Sequence, residues 1–389
     1  MMDIAMVILA AGLSERMGVF KPLLPVGGQA AVLRCIRTAE AAGIRDICVV
    51  TGHMREGVES VLRDNAPQVA VVHNSGYRDG MFSSVRAGVA ALVRDADGIF
   101  LLPADCCAVS PETLRILIRE FYEKKGAFVT RSRFNGRRGH PPLIPARFID
   151  SLLEYDGHNG LKGFLSPLPT YEVEMDSPDS LMDMDTPSDY AELLGFLGLP
   201  VYPGREMCAE LLMRFQVPQD IVEHGKHVAA LALEMARLME LGGGAVDAAL
   251  PMSGYTALPM SGNGKIDAAL LESACLLHDI CRSLPDHARA GRDLLLREGY
   301  PGTAMLVGSH MDLHYYDTGI GEAELLFLAD KLSRRGKLTP LEGTMLEMES
   351  RYAHDPDALE AARRRVGAAM AIMGELSDKY GITYGDLEM

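Results

Sequence analysis

The chain reads as an α/β domain built on a mainly parallel sheet, followed by an all-α domain. Two observations predict this. From Met1 to about Leu199, short apolar runs alternate with amphipathic helical patterns, the signature of strands and helices taken in turn. Beyond Glu206 the apolar spacing is almost entirely helical. The 389 residues suit two domains at ~100–200 residues each.

In the first half, Ala5–Ala10, Asp46–Thr51, Val69–His73 and Gly98–Leu102 are strand-like runs rich in Val and Ile. Ala30–Ala42, Met54–Asn65 and Met81–Arg94 show helical spacing between them. Asn135-Gly136, within Ala127–Ile144, is flanked by β-compatible residues and predicts a hairpin. Gly195–Glu206 holds Gly195, Gly198, Gly204, Pro200 and Pro203, and punctuation of that density predicts a linker. The expected domains are residues 1–198 and 207–389, joined by 199–206. The second half predicts helices over Gln219–Leu241, Asp267–Cys281, Ala288–Glu298, Thr303–Met311, Glu322–Ser333 and Pro356–Tyr380. Gly242–Gly264 interrupts it with ALPMSG written twice. Two short copies do not make a solenoid, so the stretch reads as an inserted loop, with a lid as one possible use.

Composition narrows the partners. Lys plus Arg is 38 and Asp plus Glu is 53, a net charge of −15. That balance argues against general nucleic-acid binding and against docking on anionic lipid. No apolar run approaches the ~20 residues of a membrane span. The apolar start runs into a glycine loop without a basic leader, so it reads as a buried strand rather than a signal peptide. Seven scattered cysteines with no CxxC pair suggest free thiols and a reducing cytoplasm.

The most informative stretch is Leu9-Ala10-Ala11-Gly12-Leu13-Ser14-Glu15-Arg16-Met17-Gly18, with Lys21-Pro22-Leu23 after it. Small residues after a buried strand let backbone N–H groups approach an anion. Arg16 and Lys21 add two cations. On spacing alone the stretch is equally a plain strand–loop–helix turn with solvated basic residues. Further along stand Asn74, Gly80-Met81-Phe82-Ser83-Ser84-Val85, Leu101-Leu102-Pro103-Ala104-Asp105, Arg138-Gly139-His140-Pro141 and Asp183-Met184-Asp185-Thr186-Pro187-Ser188-Asp189. Taken in this order over about 195 residues, these motifs resemble the molybdopterin cytidylyl- and guanylyltransferases. The LAAG opening is closer to the cytidylyl branch.

The resemblance implies a Rossmann-like nucleotidyltransferase fold and transfer of a nucleotidyl group from an NTP, CTP above all, to molybdopterin or a relative. It implies nucleotide contacts at Leu9, Ala10, Ala11, Gly12, Arg16, Lys21, Asn74 and Ser83. It implies Mg²⁺ on Asp105 and Asp185, with Asp183 the weaker choice, and Lys21, Arg16 and Asp105 in catalysis. A molybdoenzyme recipient is a further implied partner. Asp105 follows an apolar strand, where open α/β sheets bind ligands, although a loop-capping role also fits it. Asp183 and Asp185 equally suit the cap of a helix over Pro187–Leu197. Cys107, beside Cys106, stands where the family usually has Pro; both read as small buried thiols. Arg131, Arg133, Arg137 and Arg138 surround the Asn-Gly turn, either to grip an anionic acceptor or as a solvated hairpin tip.

The helical half presents His224, His278-Asp279, His287, His310 and Asp330, residue types suited to a transition-metal centre. His224 shares a helix face with Val228, Leu231, Met235 and Leu238. Asp330 lies in an apolar helix, and a buried carboxylate is costly unless paired or metal-bound. IVEHGKHVAALA, ACLLHDICR and LLFLADKLS resemble the HD-domain phosphohydrolases, with His224, His278, Asp279 and Asp330 in the ligand slots. HARAGRDLLLREGYP and LVGSH resemble a two-histidine subset, so His287 and His310 would build a second metal position or contact phosphate. The metal implied is a divalent transition ion such as Mn²⁺ or Fe²⁺, and the chemistry is hydrolysis of a phosphate ester or anhydride. His227 rivals His224 one turn away, and His314 reads as surface. An alternative keeps the transferase with a sugar phosphate or other phosphorylated acceptor. In it the helical half is a catalytically silent, metal-stabilised regulatory module.

Overall fold

The computed structural model describes residues 3–92, 96–241, 265–313, 319–334 and 336–388. The chain forms two compact units, Met1–Leu199 and Pro200–Met389. The expected loop Gly242–Gly264 and His314 lie outside the described residues.

In the first unit the strands are β1 (Ile4–Ala10), β2 (Pro25–Val26), β3 (Gln29–Ala30), β4 (Asp46–Thr51), β5 (Ala70–His73), β6 (Gly98–Pro103), β7 (Val129–Phe134), β8 (Arg137–Arg138), β9 (Leu143–Pro145) and β10 (Thr170–Glu174). The helices are α1 (Ala31–Ala41), α2 (Arg55–Asn65), α3 (Met81–Ala91), α4 (Pro111–Glu123), α5 (Ile149–Glu154), α6 (Gly160–Leu165) and α7 (Pro187–Phe196). The main sheet runs β10-β7-β9-β6-β1-β4-β5, with β8 paired to β7. β1 lies parallel to both β4 and β6, and β4 parallel to β5. β9 is antiparallel to β6 and β7, while β10 is parallel to β7. The result is a mainly parallel mixed sheet.

All of β1 is buried, as a strand covered on both faces must be, and its near-continuous apolar run follows from that. The α3 helix packs so closely that a Cβ on Gly88 would sit 2.4 Å from Val7 Cγ1 and 2.6 Å from Val50 Cγ2. Because the chain leaves β1 for β4 on one side and returns to β6 on the other, the sheet switches direction at the carboxyl ends of β1 and β6. Open α/β sheets bind ligands at such a point. The backbone N–H of Ala104 donates to Leu9 O at 3.0 Å, so the loops carrying Gly12 and Asp105 start side by side.

The Asn135-Gly136 hairpin forms as expected. Both residues take positive φ, 47° and 79°, and β7 pairs with β8 across them, as a two-residue primed turn requires.

The second unit is helical: α8 (Arg205–Arg214), α9 (Gln219–Leu241), α10 (Ala268–Leu277), α11 (His287–Arg297), α12 (Pro301–Ser309), α13 (Glu322–Leu332), α14 (Leu341–Arg351) and α15 (Pro356–Tyr380). A two-residue ribbon, β11 (Ser333–Arg334) with β12 (Lys337–Leu338), follows α13. Arg205 and Glu206, expected in the linker, are instead the first residues of α8. Pro200, Pro203 and Gly204 do the interrupting, and Arg-Glu then opens a helix-favouring run. Leu325, Leu326, Phe327, Leu328 and Ala329 are all fully buried on α13. A helix apolar on every side belongs inside, and each such Leu or Phe contributes roughly 1.5–3 kcal/mol on burial. Asp330 ends this apolar stretch.

Candidate functional sites

The first site grows from the loop after β1. Leu9, Ala10 and Ala11 are buried and Gly12 is exposed, and a Cβ on Gly12 would meet nothing within 4 Å. Ser14 takes φ 58°, which turns the chain so that Gly18 N donates to Ser14 O at 3.2 Å. The Ser14 hydroxyl accepts from Lys21 N at 3.1 Å. Lys21 Nζ then donates to Asp105 Oδ2 at 2.5 Å and to Asp185 Oδ1 at 2.9 Å. Arg16 Nη2 reaches the other oxygen of Asp185 at 2.6 Å. Leu13, Ser14, Glu15, Arg16, Lys21 and Asp185 line a cleft of about 260 Å³. Residues up to 169 positions apart thus converge on one cluster of two cations and two carboxylates.

The electrostatics of this cluster reinforce its charges. Burial alone would lower the Lys21 pKa, but Asp105 and Asp185 outweigh it and raise the net value, so the ammonium persists. Burial disfavours ionised Asp185, yet Lys21 and Arg16 hold its carboxyl below the usual range. Neither Asp183 nor Asp185 caps α7. Its N-cap is Thr186, in a reciprocal capping box with Asp189, and this leaves Asp185 free to face the cations.

Asn74 and Ser83 come together as a pair. Asn74 Nδ2 donates to Ser83 Oγ at 2.8 Å and to Ser84 Oγ at 2.9 Å, and its Oδ1 accepts from Gly76 N. The pair ties the end of β5 to the start of α3. Cys106 and Cys107 are buried free thiols; burial pushes the Cys107 thiol up to about 12. Arg133 and Arg138 pair with Glu172 on β10, because the parallel register sets Glu172 and Glu174 beside Arg131 and Arg133. Arg131 itself is half-buried and donates to Gly139 O.

The second site gathers its side chains from five helices or their ends. His224 comes from α9, His278-Asp279 from the end of α10, His287 from the start of α11, His310 from the end of α12, and Asp330 from α13. Two groups form: His224, His278 and Asp330 in one, Asp279, His287 and His310 in the other. In each, one ligand atom per residue lies within 4.8 Å of the others. Asp279 stands between them. Its Oδ2 is 3.6 Å from His278 Nε2, and its Oδ1 is 3.2 Å from His287 Nε2 and 3.7 Å from His310 Nε2. His224 Nε2 and His278 Nε2 lie 3.1 and 3.5 Å from Asp330 Oδ1.

The donor set fits metal ions on a specific ground. His278 Nδ1 donates to Cys275 O at 2.8 Å, and His310 Nδ1 to Val307 O at 2.6 Å. Carbonyls accept only, so each ring keeps its Nε2 lone pair free. Both Nε2 atoms are buried without a hydrogen-bond partner, a costly state unless they ligate something. Burial works against charge on Asp279 and Asp330. His287 and Arg282 hold the first carboxyl well below the usual range, and the Lys331 ammonium holds the second. His227 joins neither group: its Nδ1 faces Ser333 Oγ at 2.7 Å.

Each unit matches a known domain family. Residues 6–173 match the family model described as the MobA-like NTP transferase domain, and residues 221–335 match that of the HD domain. The chain joins a MobA-like NTP transferase domain to an HD domain. Molybdenum cofactor cytidylyltransferase of Escherichia coli (strain K12) is 26% identical over 184 residues, 47% of this chain and 92% of that protein. Bifunctional protein GlmU of Xanthobacter autotrophicus is 35% identical over 117 residues, 30% of this chain and 26% of that protein. A solved nucleotidyl transferase from Methanothermobacter thermautotroptrophicus is 28% identical, covers 50% of this chain and 98% of its own, and gives a TM-score of 0.45. The transferase match spans the Gly12 loop, Lys21 and Asp105, and Asp185 follows it. The HD domain carries both histidine–carboxylate groups. No helix among the described residues is long and apolar enough to cross a membrane.

Ser14 and Ser333 were not anticipated from the sequence. Ser333 lies one helical turn beyond Asp330, a spacing that could have flagged it. Nothing local marks Ser14, whose value comes from its left-handed backbone.

Proposed function

We propose that the chain is a bifunctional cytoplasmic enzyme. Its transferase domain moves a nucleotidyl group from CTP to molybdopterin or a close relative, and its HD domain is a metal-dependent phosphohydrolase. The observation that supports the first activity best is the convergence of Lys21, Arg16, Asp105 and Asp185 at the sheet's switch point. The similarity to the molybdenum cofactor cytidylyltransferase supports the donor and acceptor. The orphaned Nε2 atoms of His278 and His310 support the second activity. Seven free thiols suit a reducing compartment. A molybdoenzyme is the expected recipient of the product. The boundary between the two activities lies between Leu199 and Arg205.

In the transferase domain the loop from Leu9 to Gly12 holds the triphosphate with its backbone. Asn74 and Ser83 position the nucleotide, and Asp105 and Asp185 hold Mg²⁺. When bound, that ion binds phosphate oxygens as a hard cation. Lys21 and Arg16 neutralise charge that develops as the acceptor phosphate attacks the α-phosphorus in line and pyrophosphate leaves. In the HD domain His224, His278 and Asp330 would hold one Mn²⁺- or Fe²⁺-class ion, and Asp279, His287 and His310 would hold a second. Such ions activate water and polarise a phosphoryl oxygen.

The test is pyrophosphate release with each of four NTPs and purified molybdopterin, beside phosphate release from nucleotides and phosphoesters with Mn²⁺, Fe²⁺ or Mg²⁺. Release confined to CTP with molybdopterin supports the first assignment. Equal release with a sugar phosphate overturns the acceptor. Silence in every phosphatase assay overturns the second assignment.

A further inference from the structure

We propose that Ser333, oriented by His227, is a positioning residue that fixes the metal-ligating tautomer of His224. The proposal rests on the metal-centre reading above.

Three histidines of the HD centre show what holds their other nitrogen. For His278 and His310 it is a backbone carbonyl, which leaves no choice of proton position. For His224 it is a hydroxyl: Ser333 Oγ lies 3.2 Å from His224 Nδ1. A hydroxyl both donates and accepts, so Ser333 alone leaves either tautomer of His224 open. The choice passes to whatever takes the single Ser333 proton. His227 Nδ1 is 2.7 Å from the same oxygen, closer than His224. With His227 carrying its proton on Nε2, its bare Nδ1 takes the Ser333 proton and the Ser333 oxygen accepts from His224 Nδ1–H. That places the His224 lone pair on Nε2, the atom 3.1 Å from Asp330 Oδ1. A chain of fixed sense results, from His224 through Ser333 to His227.

The fold builds this chain rigidly. His224 and His227 lie three residues apart on α9, one turn along the same face. Ser333 is three residues beyond Asp330, so the end of α13 supplies both a ligand and the clamp on its neighbouring ligand. Ser333 is 4% exposed, which keeps water from competing for its hydroxyl. Its backbone is paired with Leu338 in the ribbon. Outer partners of metal-bound histidines tune affinity as well as orientation.

The test is Co²⁺ titration of the full chain against a competing chromophoric chelator, with visible absorption recorded, for the parent, Ser333→Ala, Ser333→Thr and His227→Phe. The parent is expected to bind two Co²⁺. Ser333→Ala should weaken one of them about 10- to 100-fold and shift its absorption bands, leaving the other unchanged. Ser333→Thr, which keeps the hydroxyl, should restore parental binding. His227→Phe, at a half-exposed position that tolerates change, should weaken the same ion, and it decides alone if Ser333→Ala fails to fold. Two ions bound with parental affinity and bands in both Ser333→Ala and His227→Phe would overturn the clamp while leaving the metal centre standing. A parent that binds no Co²⁺ overturns the centre, and the clamp with it.

Discussion

Lys21 and Asp105, 84 residues apart in the chain, meet at 2.5 Å across the loops that follow β1 and β6. The pair joins a cation from the glycine loop to a carboxylate from the neighbouring strand end, in the place where a triphosphate and its metal would have to be held together. Lys21→Ala and Asp105→Asn are each expected to cut NTP-dependent pyrophosphate release by on the order of 10²–10³-fold. Phosphate release by the HD domain should be unchanged. Rates within threefold of the parent would remove both residues from the chemistry.

Asp279 presents one oxygen to His278 and the other to His287 and His310. Its replacement by Asn should therefore weaken both metal positions at once, whereas His310→Ala should weaken one. Metal counted by mass spectrometry after dialysis checks this. Chelation of the parent should also lower the unfolding free energy by about 2.7 kcal/mol for each ion present at a hundredfold excess over its dissociation constant. Unchanged melting in excess chelator would contradict the buried, orphaned nitrogens.

Gly88 lets α3 lie against β1 and β4. In Gly88→Ala the new methyl would meet Val7 and Val50 at 2.4 and 2.6 Å. Overpacking of this kind costs about 1–3 kcal/mol, against a helix-propensity gain near 1 kcal/mol. Denaturant melting should show net destabilisation, and a more stable variant would mean that the helix and sheet separate easily.

Glu322 offers a pH test at a residue outside both histidine–carboxylate groups. It is buried, its Oε1 accepts from Asp267 N at 2.7 Å, and burial pushes its pKa above the ordinary glutamate value. The folded state therefore prefers the proton more than the unfolded state does. That stabilisation is full below about pH 4 and is lost as pH rises through the shifted value. Glu322→Gln keeps the acceptor and cannot ionise. Its stability relative to the parent should rise from pH 4 to pH 8, and a difference flat in pH would contradict the shift.

Much of this was legible in the residues. The β1 run, the Asn-Gly turn and the spacing of His224 with Val228, Leu231 and Met235 are local patterns, and local patterns survive folding. The Asp105–Lys21–Asp185 cluster was legible only through family motifs, because nothing in the spacing says that three distant loops meet. The arginines near Asn135 left two readings open for the complementary reason. Their partners Glu172 and Glu174 arrive on β10 by parallel pairing, which leaves no local trace. Thr186 was readable as a cap, since Asp189 follows three residues on, but Asp183 and Asp185 competed for that role in the sequence. Ser333 required knowing which way α9 and α13 face each other.

The Lys21 bridge also bears on the order in which ligands can enter. Its ammonium is already matched by two carboxylates, and the Arg16 guanidinium shares one of them, so a bare polyanion finds little unspent attraction in this cleft. A nucleotide that brought its own dication would supply the replacement for Lys21 on those carboxylates and would free the lysine for phosphate. So paired, the cleft would favour admitting the two together.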